Sequence, residues 1–175
     1  VSVLEEASRG VLELGRSGMS ILEVSHRGKD YEAIHMGARD RLLKLLGLSS
    51  DDYTVLFLGG GATMQFAMVP MNLLRGSGQT ADYVLTGTWG KSAFKEAQRE
   101  GAVHVAWDGQ ATRYNRLPEA SELTLTKDAA YVHVTSNETI EGVQFLSELD
   151  TGNVPLVCDA SSDFMCRPLP IERYG

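Results

Sequence analysis

Apolar side chains recur at helical spacing in the first part of the chain. Apolar positions three or four residues apart predict one helix from Val3 to Leu12 and another from Asp30 to Leu46. Ser2 is a candidate N-cap for the first helix, and Asp30 for the second. Gly47 directly follows the second helix, where glycine commonly ends a helix.

From Tyr53 onward the pattern changes to short apolar runs that alternate with amphipathic segments. The apolar runs predict strands at 54–58, 82–86, 102–106, 130–134 and 155–158. Helices are expected in the segment carrying Phe66, Val69 and Leu73, with a kink or break near Pro70, and over 92–100. This alternation indicates an α/β fold, a three-layer αβα sandwich around a mostly parallel sheet, in which ligands bind beyond the carboxyl ends of the strands.

Composition narrows the class of protein. The 175 residues carry a formal net charge of −7, with 43% hydrophobic and 22% charged residues, which suits a single globular domain. The acidic balance argues against a nucleic-acid partner. No leader segment and no long apolar run is visible, so a cytoplasmic protein without a membrane partner is expected. Cys158 and Cys166 lack zinc-ligand spacing, and no metal site is predicted.

A glycine-rich turn stands between the first predicted strand and the next helix. Gly59-Gly60-Gly61-Ala62-Thr63 would offer free backbone N–H groups at the positive end of a helix dipole, an arrangement that binds phosphate. Met64 breaks the dinucleotide-binding pattern, and no lysine precedes Thr63 as a P-loop requires. A tight connecting turn without a ligand remains the alternative.

Other polar or aromatic side chains follow strands at the same expected edge of the sheet. Asp159 follows a buried strand and needs a cationic partner there, such as the ring nitrogen of pyridoxal phosphate. An N-cap, a ribose contact and a Mg²⁺ contact are the alternatives for Asp159. Trp89 could stack on a planar cofactor or simply pack, and Asn137-Glu138-Thr139 supplies hydrogen-bonding groups.

Histidine and arginine positions carry weaker signals. His26-Arg27 lies in a loop between helices and could clamp an anion, or be a solvated basic loop. His104 and His133 lie within apolar strands and are expected to be core histidines with satisfied hydrogen bonds.

These clusters occur together, and in this order they resemble the phosphoserine aminotransferases. That family belongs to the fold-type I pyridoxal-phosphate enzymes. The matching segments are 25–28 (SHRG), 57–66 (FLGGGATMQF), 69–74 (VPMNLL), 81–83 (ADY), 86–89 (TGTW), 137–142 (NETIEG), 158–162 (CDASS) and 173–175 (RYG). The resemblance spans nearly the whole chain, and SHR and NETI favour this family over its relatives.

The resemblance implies a role for each matching residue. Ala62 and Thr63 would hold the cofactor phosphate, and Trp89 would stack on the pyridine ring. Thr139 would bind near the ring hydroxyl, and Asp159 would pair with the ring nitrogen. His26 and Arg27 would bind the acidic group of glutamate or phosphoserine.

The implied reaction is reversible amino transfer between glutamate and 3-phosphohydroxypyruvate. It belongs to serine biosynthesis, and in bacteria the family also takes part in pyridoxine biosynthesis. The family is homodimeric, with active sites shared between subunits.

The chain departs from the family pattern at several places. The family often has glutamine at the position of Gly59, and some members have arginine at the position of Thr63. The family's Gly-Pro-Ala substrate loop is absent at the start, and the lysine that forms the Schiff base would follow Gly175. Residues 1–175 are therefore interpreted as part of the large cofactor-binding domain, without the remaining strands and the C-terminal small domain. On their own, these residues are expected to be inactive and unstable.

Alternatives to this interpretation remain open. Another fold-type I aminotransferase or lyase, such as a serine–glyoxylate enzyme, would share most of these motifs. A nucleotide-binding α/β enzyme would use the glycine-rich turn without pyridoxal phosphate. A non-catalytic interaction module would need none of the anion-binding, stacking and acidic groups that meet at one edge.

Overall fold

The computed structural model describes all residues from Val1 to Gly175, and they form two compact units. The first unit covers Val1–Phe57 and the second Leu58–Gly175. None of the helices has the length and apolar character needed to cross a membrane.

The first unit contains the two predicted helices, α1 (Ser2–Leu12) and α2 (Lys29–Leu46). The expected cap of α1 is wrong, because Val1 occupies the N-cap position and Ser2 is already helical. The amphipathic pattern of α1 is present, but none of its residues is buried.

The second helix also begins earlier than its predicted cap. Gly28 is the N-cap of α2, so Asp30 lies in the first turn, where a carboxylate stabilises the helix through its dipole. Gly47 ends α2 as predicted, with a left-handed φ of 70° and an amide that bonds to the last carbonyl groups of the helix.

The strand predicted over residues 54–58 is wrong. This segment forms no ladder with any other strand, and Leu56, Phe57 and Leu58 are at least half exposed. An apolar run becomes a strand only when another strand satisfies its backbone N–H and C=O groups. No described residue supplies that pairing.

The second unit contains the sheet and the helices that pack on it. Its elements are α3 (Gly61–Leu73), β1 (Thr80–Leu85), α4 (Thr88–Ala97), β2 (Ala102–Asp108), β3 (Val132–Thr135), β4 (Asn137–Glu138), β5 (Val143–Gln144) and β6 (Leu156–Asp159). The main sheet has the order β2-β1-β3-β6, and all its neighbours are parallel. β4 and β5 form a separate antiparallel hairpin. The α/β fold with a parallel sheet is confirmed.

Helix α3 continues through Pro70 without a break. Pro70 is buried, and the helix ends at Leu73, whose successor Leu74 bonds back to the Pro70 carbonyl. The break considered from the sequence is wrong, since a helix tolerates one missing N–H when burial stabilises the turn around it.

The two faces of the sheet bury different clusters. On one face, Tyr83 and Leu85 of β1 pack with Phe66 of α3 and Ala93 of α4. On the other face, Val84 packs with apolar residues of β2, β3 and β6, and loop side chains and Phe145 cover them. Each fully buried large side chain contributes about 1.5–3 kcal/mol to stability.

The common direction of the parallel strands sets the position of the functional edge. The strands β1, β3 and β6 all end at the same side of the sheet. The segments beginning at Thr86, Ser136 and Ala160 follow these ends, and they carry most of the polar side chains singled out from the sequence.

Candidate functional site

A cavity of about 250 Å³ lies at the carboxyl edge of the sheet, within the second unit. It is lined by Ala62, Thr63, Phe66, Trp89, Asn137, Thr139, Asp159, Ser161 and Ser162. Every residue that the sequence suggested for cofactor binding is in this set. The structure thus brings together side chains from four separate segments of the chain, while their individual roles stay predictions.

The start of α3 supplies unpaired hydrogen-bond donors to this cavity. Gly60 is the N-cap with φ 92°, and a Cβ there would lie 2.5 Å from Cβ of Met64, so only glycine fits. The backbone N–H groups of Gly61, Ala62 and Thr63 make no hydrogen bond within the chain. Such a helix start binds an anion through free N–H groups and the helix dipole.

Trp89 forms the aromatic side of the cavity. Its indole Nε1–H donates a hydrogen bond of 3.2 Å to Oγ1 of Thr139, and 39% of the residue is exposed. Because Thr139 accepts this bond through its oxygen, its own O–H stays available as a donor. A planar molecule in the cavity would therefore meet an oriented ring and a free hydroxyl.

Asp159 is the last residue of β6, and only one of its two carboxylate oxygens accepts hydrogen bonds within the chain. Its Oδ1 accepts hydrogen bonds from the amide of Ser161 at 3.1 Å and from the hydroxyl of Ser161 at 2.5 Å. Its Oδ2 accepts none within the chain. Ser161 was noted in the sequence only as part of the matching segment 158–162, without a role of its own, although a serine two residues after an aspartate is a common turn signal.

A second cavity, of about 260 Å³, adjoins the first and shares Ala62, Phe66, Asp159 and Ser161 with it. His133 of β3 lines this second cavity and is only 4% exposed. Burial lowers the pKa of His133 to about 4, although the charge of Asp159 acts in the opposite direction. His133 is therefore a neutral ring at ordinary pH.

The two strand histidines have different hydrogen-bonding environments. His133 stacks on the ring of Tyr83 at 4.9 Å, but its Nδ1 has no hydrogen-bond partner, so the expectation of a satisfied core histidine is wrong there. His104 does find a partner, because its Nδ1 lies 3.1 Å from Oδ1 of the buried Asp82.

Cys158, the residue before Asp159, is a packing residue. Burial raises the pKa of its thiol to about 11, so the reactive thiolate is scarce at neutral pH. This agrees with the interpretation of Cys158 as a small hydrophobe in a strand.

Two glutamates near the site hold the start of α4: Glu138 was expected from the sequence only as one hydrogen-bonding group of residues 137–139, and Glu141 had no expected role of its own. Glu138 is fully buried and accepts hydrogen bonds from the amides of Trp89 at 2.9 Å and Gly90 at 2.8 Å. Glu141 accepts from the amide of Thr88 at 2.9 Å and from its hydroxyl at 2.7 Å. Burial raises the pKa of Glu138, while the two amides lower it in part.

His26 and Arg27 belong to the first unit, in the segment before α2. Both are exposed, and neither side chain forms a hydrogen bond or ion pair with another residue of the chain. Their part in binding an acidic substrate stays a prediction.

Comparison with known proteins gives consistent similarities over the full chain. Residues 3–175 match the family model described as aminotransferase class-V. A phosphoserine aminotransferase of Rhodopirellula baltica is 53% identical, over 99% of this chain and 46% of its own length.

Solved structures agree with this similarity. A phosphoserine aminotransferase from Bacillus circulans subsp. alkalophilus superposes with a TM-score of 0.93 at 51% identity, over all of this chain and 48% of that one. A pyridoxal-phosphate-bound phosphoserine aminotransferase from Trichomonas vaginalis gives a TM-score of 0.90 at 35% identity, over all of this chain and 49% of that one. The chain spans about half the length of the relatives that it matches.

Proposed function

The chain belongs to the class-V aminotransferase family, and from this premise we propose that its parent protein is a phosphoserine aminotransferase. The parent protein would transfer an amino group reversibly between glutamate and 3-phosphohydroxypyruvate. The observation that carries the proposal is that one cavity is lined by the start of α3, the indole ring of Trp89 and the carboxylate of Asp159.

The residues of this cavity fit pyridoxal phosphate. The unpaired amides at Ala62 and Thr63, with the Thr63 hydroxyl, suit its phosphate. The indole of Trp89 suits its flat ring, and the free O–H of Thr139 suits a ring oxygen. The free Oδ2 of Asp159 suits a protonated ring nitrogen. Four chemically different parts of one molecule thus find matching groups.

Asp159 carries the main electrostatic role in this proposal. Pyridoxal phosphate, when bound, supplies an electron sink for the bond that breaks at the amino-acid carbon. The sink is strongest when the ring nitrogen keeps its proton, and an adjacent carboxylate stabilises that proton. Ser161 holds Oδ1 of Asp159, so the carboxylate is oriented before the ring arrives.

The remaining assignments extend the proposal to the whole protein. Arg27, with His26 beside it, would bind the acidic group of the substrate, because guanidinium pairs bidentately with carboxylate or phosphate. The lysine that binds the cofactor covalently would lie in the part of the parent protein outside this chain. The parent would be a cytoplasmic homodimer with shared active sites, acting in serine biosynthesis.

A substrate comparison tests the proposal. We expect the parent protein, loaded with pyridoxal phosphate and given glutamate, to prefer 3-phosphohydroxypyruvate over glyoxylate in kcat/KM by at least about a hundredfold. A site built to bind a phosphate rejects an acceptor without one, since its polar groups would stay unpaired. Formation of 2-oxoglutarate measures both reactions.

The matched variant in this experiment is Asp159→Asn, which keeps the shape of the side chain and removes its charge. Its kcat/KM should fall by about a hundredfold or more. A preference for glyoxylate would assign the protein to another aminotransferase type. Nucleotide binding without pyridoxal-phosphate absorbance would reject the family activity altogether.

A further inference from the structure

The start of α4, which carries Trp89, is held by carboxylates from another part of the chain. The first three amides of this helix, at Thr88, Trp89 and Gly90, are the ones a helix leaves unpaired. All three are satisfied by Glu138 and Glu141. The N-cap residue of α4 is a glycine and supplies no side-chain bond.

Glu138 lies between two residues of the candidate site. Asn137 and Thr139 both line the cavity. Glu138 is fully buried and reaches the start of α4 instead, as expected where successive side chains of a strand alternate in direction. One short stretch of chain therefore contacts the cavity and also holds the helix that carries the indole.

Trp89 is consequently fixed at two points by adjacent residues. Its main-chain N–H donates to Oε2 of Glu138 at 2.9 Å, and its ring Nε1–H donates to Oγ1 of Thr139 at 3.2 Å. Because Glu138 and Thr139 are neighbours in the chain, these two bonds fix the indole relative to the strand and not only to its own helix.

The glycines on either side of Trp89 make room for this arrangement. A Cβ at Gly87 would lie 2.5 Å from Oε2 of Glu141 and 2.6 Å from Cδ of Glu138, closer than real side chains approach. A Cβ at Gly90 would lie 3.2 Å from Oε1 of Glu138. Gly87 is therefore packed against the carboxylates of both Glu138 and Glu141, whereas Gly90 is packed against that of Glu138 alone among the glutamates.

We propose that Glu138 is a positioning residue for Trp89, holding the indole at the orientation in which it covers the cofactor ring. The inference rests on the proposed function, because the ring that Trp89 would cover is that of pyridoxal phosphate. Glu138 does not touch the cofactor in this account and acts through the backbone amides of Trp89 and Gly90.

A double-mutant cycle in the parent protein tests this inference. We expect Glu138→Gln to weaken pyridoxal-phosphate binding about tenfold, since glutamine presents an NH₂ group where one of the two amides needs an acceptor. In the Trp89→Ala background the same change should weaken binding less than twofold, because the indole that Glu138 would position has been removed. The readouts are the dissociation constant and the induced circular dichroism of bound cofactor.

Glu141→Gln is the matched control, because Glu141 caps the same helix but accepts hydrogen bonds only from Thr88 and none from Trp89. It should lower the melting temperature as Glu138→Gln does, yet change the cofactor dissociation constant less than twofold. Equal effects of Glu138→Gln with and without Trp89, or equal effects of the two glutamate variants on cofactor binding, would overturn the inference.

A second variant covers the case in which Glu138→Gln does not fold. The added methyl group of Gly90→Ala would push against Oε1 of Glu138. It should weaken the induced circular dichroism of bound cofactor as Glu138→Gln does, and this effect should disappear in the Trp89→Ala background. Failure of the proposed function has a separate signature, because the unmodified parent protein would then not bind pyridoxal phosphate at all.

Discussion

Asp159 and His133 lie on neighbouring strands and border the same cavity, but they differ in how far they are enclosed. Asp159 keeps one oxygen free at the end of β6, whereas His133 is enclosed within β3 and its pKa falls to about 4. A neutral imidazole beneath the site adds no positive charge that would compete with a protonated ring nitrogen for Asp159.

The lowered pKa of His133 predicts how stability depends on acid. The pKa of histidine in the unfolded chain is about 6.5, so between about pH 6.5 and 4 the unfolded state binds more protons than the folded state. The contribution of neutral His133 to stability is complete above that window and is lost as the pH falls through it.

We expect the melting temperature of the parent protein to fall less steeply between pH 6.5 and 4 in His133→Gln than in the unmodified protein. His133→Phe is the control, since it also removes the titrating group while changing packing in another way. Both variants should share the shallower slope whatever their absolute stability. An unchanged slope in both would show that His133 does not titrate differently on folding.

At the residue scale, the sequence identifies site residues more easily when they come after a predicted strand than when they lie inside an element. Asp159 and Trp89 were recognisable because each comes shortly after a predicted strand of the α/β pattern. Glu138 was not, because a glutamate is usually exposed, and its burial depends on two amides contributed by a distant helix.

At the scale of elements, β1 is joined to the segment before β3 by a buried pair of phenols. The hydroxyl groups of Tyr83 and Tyr131 lie 2.8 Å apart, and both residues are almost completely buried. Burial is the largest cause of the raised pKa of each phenol. The two hydroxyls therefore have each other as their hydrogen-bond partners inside the core.

Removing both hydroxyls together should cost less stability than the sum of the two single removals. Tyr131→Phe leaves the hydroxyl of Tyr83 buried and unpaired, and we expect a loss of about 1–3 kcal/mol in the free energy of unfolding. Combining it with Tyr83→Phe should cost less than the sum of the single changes, by about 1 kcal/mol. Urea unfolding of the parent protein measures the three variants, and strictly additive losses would contradict the pairing.

The elements themselves were predictable where the local pattern decides them. The four strands of the main sheet lie close to their predicted positions. A continuous apolar run predicts a strand well when both faces of the sheet are covered by other parts of the chain. Residues 54–58 have the same kind of pattern and form no strand, since a strand also needs a partner that sequence periodicity does not reveal.

At the scale of the whole molecule, the candidate site is assembled from segments far apart in the chain. The start of α3, the start of α4, the β4 strand and the end of β6 meet because parallel strands end at one edge. The sequence predicted that edge and placed on it the residues suggested for cofactor binding. It could not predict the contacts between them, such as the one joining Trp89 to Thr139.

The central claim is that this edge holds pyridoxal phosphate with Asp159 at its ring nitrogen. The most direct test is the ¹⁵N chemical shift of the parent protein loaded with cofactor labelled at that nitrogen. We predict the shift of a protonated nitrogen in the unmodified protein and of an unprotonated one in Asp159→Asn at neutral pH. The same shift in both proteins would contradict the account.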